Sequence, residues 1–156
     1  MRLSMKRLSY LFAMSAVMFV FTAYAEQPAR GAGARKGKAE IRLPSHLCTK
    51  IAKSGKARMT ELSRGKNAFI ARLEMDPFAK VPEHQDPTEE YIHILQGSGT
   101  IYINGKPHPI GPGATVYMPA NAKVKFENGP ESLIAIQVFS GPQPADKYDA
   151  WKGCER

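Results

Sequence analysis

His84, Asp86 and Glu90 lie within a seven-residue window and offer one imidazole nitrogen and two carboxylate oxygens. Such mid-range donors suit Fe, Mn, Zn, Ni or Cu. Glu90 opens an alternating apolar run, residues 90–95, in which Glu90, Ile92 and Ile94 share one face and Tyr91, His93 and Leu95 the other. If the first face is inward, Glu90 needs a cation or a hydrogen-bond partner, because an unpaired buried carboxylate is costly. A bound metal or substrate would satisfy it, and so would a Tyr, Asn or Gln neighbour without metal. Without metal, Glu90 and His84 remain a pair for acid–base work, provided both reach one substrate proton. Gln137 is the one polar residue in the apolar run 134–139, and either enters a pocket to contact a ligand or sits on an outer face at a dimer contact. Tyr102 and Tyr117 are candidates for substrate contact or for shielding a sheet face. His93 is expected to face outward; His108 and His46 read as surface residues.

The segments that must position these groups are short and strand-like: 57–62, 67–75, 89–95, 99–103, 108–110, 114–118, 123–127 and 133–139. Each ends at Gly, Pro or Asn, and no amphipathic helix of useful length interrupts them. Asn104-Gly105 after an apolar alternation is a hairpin signal, and Phe69, Ala71, Leu73 and Met75 share one face by the two-residue repeat. The pattern predicts an all-β sandwich or barrel. Sequential hairpins leave edges, which closure or pairing with a second copy into a homodimer would cover. No phosphate-binding loop, serine elbow or Cys-x-x-Cys pair occurs.

The spacing resembles that of the cupin family. Its first motif is matched by His84, Asp86, Glu90 and Gly97, with Asp86 where a second histidine stands. Its second is matched by Gly113, Pro119 and Asn128, with Asn121 in place of a glycine and Val124 in place of the last histidine. The resemblance covers roughly 69–139 and implies a double-stranded β-helix, or jelly-roll barrel. In metal-binding members the motif side chains converge inside the barrel; carried over, His84, Asp86 and Glu90 would hold a divalent metal with an open position for water or substrate. The function implied is binding of a small molecule. One form is a metal-dependent oxygenase, isomerase or lyase on a small polar substrate, with Glu90 as ligand or base and Gln137 orienting the substrate. The other is a metal-free binding or structural module.

Arg2, Lys6 and Arg7 precede an apolar stretch, residues 8–21, and then Ala23-Tyr24-Ala25. This reads as a secretory signal peptide over 1–25 rather than a membrane span, which needs roughly 20 apolar residues. Cleavage after Ala25 leaves 131 residues (156 minus 25), room for one domain, and places the protein in the periplasm or outside the cell. Residues 26–40 read as a flexible basic arm and 41–156 as a single domain. Residues 30–66 carry eleven Lys or Arg against two acids, a net of +9, whereas 67–156 carry eight against eleven, a net of −3. The basicity belongs to the arm, so nucleic acid is not the expected partner. Cys48 and Cys154 bracket the domain; an oxidising compartment permits a bridge between them, the alternative being two free thiols.

Overall fold

The computed structural model describes residues 39–153, which fall within one compact unit spanning Arg35–Arg156. The expected signal peptide, the arm up to residue 38, and Cys154 lie outside the described residues. Ten strands follow in order: β1 (Cys48–Ile51), β2 (Ala57–Arg64), β3 (Ala68–Met75), β4 (Lys80–His84), β5 (Glu90–Gln96), β6 (Gly99–Ile103), β7 (Lys106–Ile110), β8 (Thr115–Met118), β9 (Val124–Asn128) and β10 (Leu133–Ser140). Two 3-10 segments, Pro44–His46 and Gln143–Ala150, flank them. Among the described residues, no helix is long and apolar enough to cross a membrane.

The strands form two antiparallel sheets, ordered β1-β2-β3-β10-β5-β8 and β4-β9-β6-β7. That is the all-β jelly roll expected. Strand composition explains who sits where: Pro82 lies in β4, and Pro107 and Pro109 in β7, the two edges of the smaller sheet, where a missing N–H costs no ladder bond. The Asn104-Gly105 turn joining β6 to β7 has φ of 50° and 80°, the pair of positive values a tight hairpin demands.

The core lies between the sheets. Met75, Ile94, Ile101, Met118, Phe126, Leu133 and Ala135 are among its buried residues. Beyond one end of this cluster the larger sheet continues with Phe69, Ala71 and Phe139, and there the smaller sheet is replaced by Ala145 and Tyr148 of the Gln143–Ala150 segment. Tyr148 stacks on Phe69 with centroids 6.2 Å apart and meets Trp151 edge-on at 4.9 Å. The Gln143–Ala150 segment thus forms a 3-10 cap. Backbone bonds Ile51 N–H to Lys152 O (2.6 Å) and Lys152 N–H to Ile51 O (2.9 Å) then lay the chain after the cap against β1.

Candidate metal centre and ligand cavity

Alternation on two neighbouring strands aims the polar groups inward. On β10, Leu133, Ala135, Gln137 and Phe139 are buried while the residues between them are less so. Gln137 thus interrupts a continuous apolar stripe where the two core clusters meet. On β5 the same repeat buries Glu90 (4% exposed) and Ile94 and leaves Tyr91, His93 and Leu95 exposed, as their spacing predicts. The Gln137 carboxamide donates to Glu90 Oε1 at 2.5 Å and accepts from the Tyr148 hydroxyl at 2.7 Å, so three buried polar groups form one chain. Burial pushes the Glu90 carboxyl above its ordinary range, against the hydrogen bond from Gln137 and the charge of Lys147. Burial, and then the nearby Glu90 charge, likewise raises the Tyr148 hydroxyl.

His84 ends β4 and Asp86 follows in the connecting loop. One donor atom from each of His84, Asp86 and Glu90 lies within 4.8 Å of the others. Ligands bound at roughly 2.0–2.2 Å at a tetrahedral angle stand about 3.4 Å apart, so closure on an ion needs movements on the order of an ångström. His84 Nδ1 lies 3.0 Å from the Pro82 carbonyl; since a carbonyl only accepts, Nδ1 is the donor there, and Nε2 is the nitrogen turned toward Asp86, 3.7 Å away. These three residues fit a divalent transition metal with open coordination positions.

Two features modify the fit. Lys147 Nζ contacts both Asp86 oxygens, at 2.9 and 3.2 Å, so an ion would share that carboxylate with an ammonium. Val124, directly across from His84 in the β4–β9 register, lines the cavity with an apolar side chain that cannot ligate.

Two of the donors, His84 and Glu90, stand at the wall of a cavity of about 290 Å³, with Asp86 just behind them. Ile92, Ile94, Val116, Val124 and Phe126 give it an apolar surface, and Lys147, Tyr148 and Trp151 contribute from the cap. Gln137 lines it; Tyr102 and Tyr117 do not. The two-residue repeat turns Ile101, Val116 and Met118 inward and these tyrosines outward, so they take the sheet-shielding role. Tyr102 donates to Glu127 (3.2 Å) with Lys125 over its ring, and Tyr117 packs on Tyr91 and donates to Glu89 (3.0 Å). His93 is exposed and bonds Thr115, and His108 and His46 are exposed. Sequence reasoning missed Lys147, Tyr148 and Trp151. The signal was slight: Ala145 and Tyr148 are three residues apart, the repeat of a 3-10 turn.

Comparison with known proteins agrees with this geometry. A cupin domain model matches residues 71–139. The oxalate-binding protein of Thermotoga maritima is 31% identical over 102 residues, covering 65% of this chain and 75% of that protein. Dimethylsulfoniopropionate lyase DddW of Ruegeria pomeroyi is 31% identical over 91 residues; the match covers 55% of this chain and spans 60% of the lyase's length. The crystal structure of an RmlC-like cupin from Shewanella frigidimarina superposes with a TM-score of 0.60 at 13% identity, over 67% of this chain and 92% of that one. With its two motif regions, its paired antiparallel sheets and a relative matched over three quarters of its length, the chain belongs to the cupin family.

Proposed function

We propose that the protein is an exported cupin that binds a small molecule in its barrel, beside a divalent transition metal held by His84, Asp86 and Glu90. The observation that carries this reading is the convergence of those three donors, two of them at the wall of a largely apolar cavity. A metal bound there would polarise a ligand oxygen or lower the pKa of a bound water. The protein's own contributions are separable from it. Gln137, fixed by its bonds to Glu90 and Tyr148, orients the Glu90 carboxylate. The apolar walls exclude water from the ligand. In the enzymatic form of this reading, Glu90 holds or accepts a substrate proton, as an isomerase or lyase requires; the likeness to a lyase of the same family supports that form.

A metal-free binding module is the second reading, supported by the Lys147–Asp86 ion pair and by Val124 opposite His84. Metal analysis of protein purified without chelators separates the two. Stoichiometric metal that is lost in His84→Ala supports the first. Failure to retain Fe, Mn, Zn, Ni or Cu after reconstitution refutes it.

Export brings two further expectations. The pairing of Ile51 with Lys152 lays the segment before Cys154 against the strand that begins at Cys48, which supports a bridge between the two cysteines. Intact mass without reductant tests it. The edge strand β8 and the exposed Tyr91, Leu95 and Tyr117 support a homodimer, testable by sedimentation.

A further inference from the structure

We propose that Lys147 is the anion-recognising group of the cavity, and that the ligand it selects is a small monocarboxylate with an apolar body. This rests on the metal reading above. Lys147 comes from the 3-10 cap, after the residues matched by the cupin domain model, and is no part of either motif. Its ammonium reaches Asp86 at 2.9 and 3.2 Å and stands 4.7 Å from the Phe139 ring centroid and 5.6 Å from that of Tyr148. Lys147 therefore presents its charge at the cavity wall, with Asp86 taking at most two of its three N–H donors.

Formal charge decides the ligand class. As ligands of a bound ion Asp86 and Glu90 are both deprotonated and contribute −2, Lys147 contributes +1 and a coordinating His84 is neutral, so the protein groups sum to −1. A divalent ion turns that into +1 (−1 plus +2) and draws on the carboxylate that Lys147 now holds. A net positive charge beside apolar walls favours a compensating anion, although solvent at the 36%-exposed Lys147 screens part of the imbalance. One negative charge brings the sum to zero. A phosphate monoester, at roughly −1.5 to −2, overshoots, and an ammonium compound raises the sum to +2. Ile92, Ile94, Val116, Val124 and Phe126 then receive a hydrocarbon body beside the carboxylate.

The test uses zinc-loaded full-length protein with zinc content measured alongside. Trp151 is the only tryptophan and lines the cavity, so its emission reports occupancy. Hexanoate, hexanamide, hexylamine and hexyl phosphate are titrated in turn. Hexanoate is expected to bind about tenfold or more tightly than the other three, the worth of a charge-assisted hydrogen bond. Lys147→Met, which keeps the side-chain stem on Phe139, is expected to erase that margin, and Lys147→Arg to keep most of it. Equal binding of hexanoate and hexanamide, preference for the phosphate or amine, or a margin that survives Lys147→Met overturns the assignment. So does loss of the margin in both variants, which marks a structural role. Wild-type protein that takes no zinc defeats the metal reading and this one together; zinc bound without a carboxylate margin defeats this one alone.

Discussion

Tyr148→Phe is expected to destabilise the wild-type protein and to stabilise a Gln137→Leu variant. In the wild type the Tyr148 hydroxyl is the donor to Gln137 Oε1, and both side chains are buried. Deleting the hydroxyl orphans that oxygen at a cost of about 1–3 kcal/mol. In Gln137→Leu the hydroxyl is itself the orphan, so the same deletion removes a penalty of similar size. Ring packing is held constant, because Phe keeps the contacts with Phe69 at 6.2 Å and Trp151 at 4.9 Å. The transfer free energy of Leu cancels, since only the effect of one substitution in two backgrounds is compared. The coupling energy, the sum of the two effects, should therefore reach about 2–6 kcal/mol, above what distant sites show. With urea m values of roughly 1–3 kcal/mol per molar, the midpoint should fall by about 0.5–1 M in the wild type and rise by a similar amount in the variant. Urea titrations of metal-free protein at one fixed pH measure both. The same sign in both backgrounds, or no effect in either, would mean that the three-membered polar chain does not hold the site.

Stability of the metal-free protein should carry a pH signature from Glu90, whose carboxyl is raised above 4.5 chiefly by burial. The fold prefers its neutral form, so this contribution is full below about pH 4.5 and is lost as pH climbs through the raised native value. Glu90→Gln keeps the neutral shape; its melting temperature relative to wild type should improve steadily from acid toward neutrality, and parallel curves would contradict the burial argument. A pair of glycines separates crowding from backbone conformation. Gly97 (φ +78°) would bring an added Cβ to 2.5 Å from the Ser132 carbonyl oxygen, whereas Gly113 (φ +83°) faces open space. Gly113→Ala should cost about 1–2 kcal/mol in denaturant titrations, the left-handed penalty alone, and Gly97→Ala clearly more; equal costs would show that the backbone at Ser132 yields.

The inward and outward faces of β5 and β10 were legible because a polar residue in a strict two-residue alternation has only two places to go. Glu90 and Gln137 thus end up hydrogen-bonded to each other, although they are 47 positions apart in sequence. The motif spacing located His84 and Asp86 for the same reason: short strands joined by tight turns leave little slack in where a loop residue falls. The strands β1 and β4 were missed; one has only four residues and the other carries a proline, and each is an edge whose burial is too slight to leave an apolar stripe. The cap was missed because a 3-10 segment with three buried residues, Pro144, Ala145 and Tyr148, writes almost no periodicity into its sequence. Lys147 was illegible for a different cause. Its role comes from a 61-residue jump back to Asp86, and no local pattern encodes such a partner.

The mutual backbone bonds between Ile51 and Lys152 tie the cap to the outermost strand of the larger sheet. A lid hinged on a loop can swing while the body stays intact. Here, swinging the cap outward means unzipping a strand margin, so opening of the cap and fraying of that margin are one event. Amide hydrogen exchange at these two positions is therefore a clock for cap opening.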